Sequence, residues 1–143
     1  MISLNKKRKV PADTYEEAKV KNLIDEECIP LCDFFNSIGF KTTFSCQGHK
    51  PGEPFMIHFE PSLADTEVFA LLKVVEEANG HGPRGKFSKW HRQIHGNLVT
   101  SWMYVSSGTR KEIEDDIAID LKRFEKAMAH VQELSQRDDN LYV

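Results

Sequence analysis

Glycine and proline punctuate this chain at Gly39, across Gly48-His-Lys-Pro-Gly-Glu-Pro54, at Asn79-Gly80, at His95-Gly96 and at Gly108, and the segments between alternate in character. Each break falls where one kind of apolar period ends, so the order of elements can be read from the breaks alone. Pro11-Ala-Asp-Thr14 offers Asp13 or Thr14 as the cap of a first helix carrying Tyr15, Ala18, Leu23 and Ile24, with Glu16 and Glu17 near its positive end. Pro30 donates no backbone bond and opens a second helix, with Leu31, Phe34, Phe35 and Ile38 as its apolar face and Gly39 as its left-handed stop.

The period then changes to that of strands. Lys41 to Cys46 and Phe55 to Phe59 flank the Gly48–Pro54 loop as one hairpin, and Phe87–Ile94 and Leu98–Val105 flank His95-Gly-Asn97 as another. Between the hairpins a helix is expected from about Leu63 to Ala78, burying Val68, Leu71, Leu72 and Val75. After Gly108 a last helix carries Ile113, Ile117, Ile119, Leu121, Phe124, Met128 and Val131 toward the core. Helix, hairpin, helix, hairpin, helix predicts an α+β fold, an antiparallel sheet of two hairpins packed against about three helices.

With 143 residues, one core is the expectation: a basic arm over residues 1–12, one domain over 13–136 and a loose tail over 137–143. The run Lys6-Lys-Arg-Lys9 reads as a solvated terminus. No apolar run has the length of a membrane span, and Cys28, Cys32 and Cys46 are an odd set at no disulfide-scaffold spacing, so a reducing, cytoplasmic setting is expected. A net charge of −3 argues against sequence-independent nucleic-acid affinity, which needs a cationic face.

The functional expectation centres on Phe44-Ser-Cys-Gln-Gly-His-Lys50. Backbone amides around a glycine turn at a strand end converge on anions, and Ser45, Gln47, Gly48, His49 and Lys50 add donors at the same place. In the second hairpin, Trp90 and Arg92 share a face, and with Tyr104 they suit the stacking of a base and the pairing of a phosphate. Cys46 with His49 or His58 supplies the parts of an activated thiol, but no orienting acid or oxyanion hole is marked, so no catalytic residue is assigned. Zinc held by Cys28, Cys32, Cys46 and His49 is the competing reading; the spacings match no standard finger, and no metal is assigned.

Cys28-Ile-Pro-Leu-Cys-Asp-Phe-Phe-Asn-Ser-Ile-Gly39, Lys41-Thr-Thr-Phe-Ser-Cys-Gln-Gly-His49 and Phe55-Met-Ile-His-Phe59 resemble small proteins of bacteriophage and prophage genomes, and the resemblance extends through Trp102-Met-Tyr104 and Asp120-Leu-Lys-Arg-Phe124. It implies proteins that sequester small nucleotides or bind host proteins. Phe44-Ser-Cys-Gln-Gly48 is also similar to the Ser-Ser-Cys-Ser-Gly-Arg signature of wybutosine-synthesis methyltransferases, with His49 in place of the arginine. The leading expectation is a non-catalytic site for a small anionic, nucleotide-like ligand, formed by Ser45, Cys46, Gln47, Gly48, His49, Lys50, Trp90, Arg92 and Tyr104. Alternatives are a host-protein inhibitor acting through Glu112-Ile-Glu-Asp-Asp116 and an S-adenosylmethionine-dependent RNA-modification-like enzyme. The cofactor is left unknown, a membrane partner is not expected, and self-association is left open.

Overall fold

A computed structural model describes residues 14–141, so the basic arm expected over residues 1–12 lies outside the described residues. Thr14 caps α1 (Tyr15–Val20), its hydroxyl accepting the Glu17 amide at 3.1 Å. The helix ends earlier than the apolar spacing predicts. Asn22 turns into the left-handed region at φ 56°, which takes Leu23 and Ile24 off the helix. A single 3-10 turn (Glu26–Cys28) leads into α2 (Ile29–Ser37), where Pro30 sits in the first turn and leaves no helical bond unmade. Gly39, at φ 89°, stops α2 while the Phe40 amide reaches back to the Phe35 carbonyl at 2.8 Å.

The strands are β1 (Thr42–Cys46), β2 (Phe55–Phe59), β3 (Lys86–Ile94) and β4 (Asn97–Ser106), joined in the antiparallel order β1-β2-β4-β3. The expected two hairpins are both present, and β2 and β4 bring them together edge to edge. His95 and Gly96, at φ 52° and 79°, form the two-residue turn of the second hairpin, which matches the twist of the strands. Between the hairpins runs α3 (Asp65–Asn79), and α4 (Arg110–Leu141) follows β4. No glycine or proline follows Gly108, so α4 continues through most of the segment expected to be a loose tail.

One face of the sheet is the core. Phe55, Ile57 and Phe59 of β2 and Trp102 and Tyr104 of β4 pack against Leu31 and Phe35 of α2, Val68, Leu71 and Val75 of α3 and Ile113, Phe124 and Ala127 of α4. Phe35 is the hub, with ring contacts to Phe34, Phe40, Phe59, Phe87, Tyr104 and Phe124. Aromatic pairs in these edge and offset arrangements contribute beyond their buried area.

The apolar stripe of α4 is interrupted by Asp120, which is fully buried. Its carboxylate accepts the Arg84 amide at 2.6 Å, the Gly85 amide at 2.7 Å and the Tyr104 hydroxyl at 2.6 Å. Three donors compensate the desolvation of this carboxyl, although burial still raises its proton affinity above the usual carboxylate range. The knot leaves no room at Gly85, where an added Cβ would lie 2.3 Å from the Tyr104 ring.

Among the described residues, no helix is long and apolar enough to cross a membrane.

Candidate functional site

The face of the sheet turned away from the helices carries a row of rings. Pairing of Phe44 with His58 and of His58 with Met103 places these residues side by side on that face, with Trp90 beyond them on β3. Phe44 reaches this face because of a bulge: Thr42 pairs with Phe59, but Phe44 pairs with His58, so Thr43 is the extra residue. Without the bulge, strict alternation would put Thr42 and Phe44 on the same face.

Phe44 is 57% exposed and meets His58 edge to face, ring centres 5.4 Å apart. His58 in turn lies 4.7 Å from the Trp90 ring centre. Ser101, the register partner of Trp90, is small enough for the indole to lie across β4 and reach β2. The Trp90 Nε1–H is shielded and has no hydrogen-bond partner among the described residues. The Arg92 guanidinium stands 5.4 Å from the Trp90 ring centre. Burial, then the charge of Arg92, lowers the proton affinity of His58, which keeps the imidazole neutral near pH 7.

By register, Lys86 also projects on this face, together with Met56, Met103 and Val105, and no strand residue there is a carboxylate. In a chain of net charge −3, that makes the face locally cationic and aromatic.

The nine residues expected to share a pocket are divided. Trp90, Arg92 and Cys46 project on the open face, whereas Ser45 pairs with Ile57 on the helix side. Tyr104 corrects the expectation that it stacks a ligand, because it is fully buried against the helices with its hydroxyl on Asp120. Gln47 serves the loop itself: its amide donates to Asp25 at 3.0 Å and its side-chain oxygen accepts the Glu27 amide at 3.2 Å.

Gly48, His49 and Lys50 line a separate cleft of about 650 Å³ opposite the first turn of α4, beside Thr109 and Arg110. Its arginine is already engaged. Arg110 pairs with Glu27, approaches Glu114 at 3.8 Å and donates to the Gln47 carbonyl at 2.6 Å. Thr109 and Glu112 satisfy each other reciprocally at the helix start, in a capping box. A larger cleft, of about 830 Å³, lies between α1 and the free edge of β1, lined by Tyr15, Leu23, Asp33, Thr42, Phe44 and Glu60 among others.

The four-residue zinc set of the competing reading, Cys28, Cys32, Cys46 and His49, is not brought together either. Cys28 and Cys32 are buried, and burial pushes their thiols up to about 12 and about 11 against the opposing effect of the Ser45 hydroxyl. Instead Asp25 lies beside the loop, its Oδ2 3.2 Å from His49 Nε2. In Glu112–Asp116, Glu114, Asp115 and Asp116 pair with Arg110, Lys111 and Arg84, and Glu112 caps its own helix.

Sequence reasoning missed Phe44 as a ring on the site face, because the bulge that turns it outward has no marker in the chain. It also missed Asp25, which is brought to the loop only by tertiary folding.

Neither a curated protein nor a solved structure matches the chain. A family model does match, over residues 17–139, from α1 to the last turns of α4. The chain belongs to the YoqC prophage protein family.

Proposed function

We propose that this prophage protein binds a small anionic, nucleotide-like ligand on the open face of its sheet and does not transform it. The observation that carries the reading is the row Phe44, His58 and Trp90, with Arg92 at the Trp90 ring and Lys86 further along β3, on a face without strand carboxylates. Ring faces stack on any base, and each stacked base contributes about 1–3 kcal/mol. Guanidinium and ammonium groups then select for phosphate.

The ligand in this reading lies across β2, β4 and β3 rather than in the Gly48–Lys50 cleft, where Arg110 is already paired with Glu27. Ser45, Gln47 and Gly48 are then parts of the scaffold. The test is a titration of the protein with nucleoside mono-, di- and triphosphates, cyclic nucleotides and S-adenosylmethionine, followed by tryptophan fluorescence and calorimetry. Binding of one phosphorylated class, with the optical change lost in Trp90→Phe, supports the reading. Binding of S-adenosylmethionine alone, unaffected by Trp90→Phe and Arg92→Gln, moves the function to the enzyme class. A protein that binds none of these but captures a single host protein through the Glu112–Asp116 segment is an inhibitor instead.

A further inference from the structure

The end of β1 holds a second group of side chains that the ring-bearing face does not use. Asp25, Cys46 and His49 each bring one ligand atom to within 4.8 Å of the other two. We propose that these three residues bind a divalent transition ion of the zinc type, through one carboxylate oxygen, one thiolate sulfur and one imidazole nitrogen.

The donor set decides the class of ion. A thiolate with an imidazole suits a borderline-soft ion and disfavours magnesium and calcium, which take oxygen ligands. Bond lengths of about 2.0–2.3 Å place neighbouring ligand atoms of a tetrahedral zinc about 3.5 Å apart. His49 Nε2 and Asp25 Oδ2 are already 3.2 Å apart, and the remaining separations, within 4.8 Å, need to close by at most about 1.3 Å. Three protein ligands leave the fourth position to water or to an exogenous ligand, the arrangement of an open site rather than a closed structural one.

The surroundings hold the three in place. The Gln47 amide donates to Asp25 Oδ2 at 3.0 Å, which orients the carboxylate from outside the set. The loop that carries His49 is fixed at both ends of Gln47, by the Glu27 amide on its side chain and by Arg110 on its carbonyl. Gly48 makes the turn at φ 83°, and an added Cβ would meet the Glu53 carbonyl oxygen at 2.7 Å. The loop therefore delivers His49 back toward Asp25 in a conformation that another residue would strain. Cys28 and Cys32, the thiols that spacing alone would choose, are buried on the helix side.

The proposal is independent of nucleotide binding and has its own readout. Full-length protein, stripped with a chelator, is titrated with Co²⁺ and then with Zn²⁺. One Co²⁺ per chain is expected, with a thiolate-to-cobalt charge-transfer band that Zn²⁺ abolishes by displacement. Cys46→Ser should remove the band, and His49→Ala should weaken binding at least ~10-fold, as loss of a ligand or its support does. Cys28→Ser should keep both the band and the stoichiometry. Because the His49 side chain is 62% exposed, His49→Ala should melt like the parent protein without metal, which separates lost binding from lost folding. No charge-transfer band in the parent protein, a band that survives Cys46→Ser, or equal affinity in folded His49→Ala overturns the assignment.

Discussion

Trp90 and His58 meet edge to face at 4.7 Å although β4 separates their strands. Ser101, the register partner of Trp90 on the intervening strand, has a side chain too small to block the contact, which links the second hairpin to the first on the open face. The same reach continues the row to Phe44.

Phe44 gives the cleanest test of the row, since more than half of it is in solvent and its removal disturbs little packing. Phe44→Ala should leave urea denaturation within about 0.5 kcal/mol of the parent. Nucleotide affinity measured by calorimetry should fall roughly 5- to 150-fold, the equivalent of one stacked base. Equal affinity in the folded variant would take Phe44 out of the site.

Charge on this face should show as salt dependence. Lys86→Gln with Arg92→Gln removes the cations that register places on the ring-bearing face, so affinity should drop and its slope against log salt should flatten. Affinity measured between low and physiological salt reads both effects. An unchanged slope means that the phosphate is held elsewhere.

His58 makes stability depend on pH with a defined sign. Its proton affinity is lowered in the folded chain, by burial and then by Arg92, so the unfolded chain binds the proton more tightly. The stability held above the ordinary value of 6.5 is lost as pH falls below it, down through the lowered folded value. Thermal melts from pH 7.5 downward should show this loss, and His58→Gln should remove its share of the slope.

The Asp120 knot predicts the largest losses of stability. Asp120→Ala leaves two backbone amides and the Tyr104 hydroxyl without their acceptor, each worth about 1–3 kcal/mol when buried. Tyr104→Phe removes one donor and should cost about 1–2 kcal/mol. The pH sign is opposite to that of a stabilised carboxylate. With its folded value raised, Asp120 contributes stability below the ordinary 3.8 that is lost as pH rises through the raised value. Urea denaturation of both variants across the acid range checks the order and the sign.

Much of the fold was legible because glycine and proline mark its boundaries. Gly39, Gly80 and Gly96 each adopt positive φ at the breaks that the sequence predicts, and Pro30 opens its helix. The sheet order was not legible, since it depends on β2 meeting β4 and nothing local encodes that pairing. Asp120 was hidden because a carboxylate in an apolar stripe reads as solvent-facing until its donors on Arg84, Gly85 and Tyr104 are known. The candidate site was only half visible for a similar reason. Trp90 and Arg92 follow from strand alternation, but the bulge at Thr43 reverses the parity of β1, and Tyr104 falls on the other face from Trp90.

The most direct test of the central claim is native mass spectrometry of the protein after incubation with a cell extract, beside a Phe44→Ala, Arg92→Gln variant shown to be folded. A nucleotide-sized mass excess on the parent protein, absent from the variant, is the result predicted. No excess on the parent, or the same excess on both, contradicts a nucleotide site on the open face of the sheet.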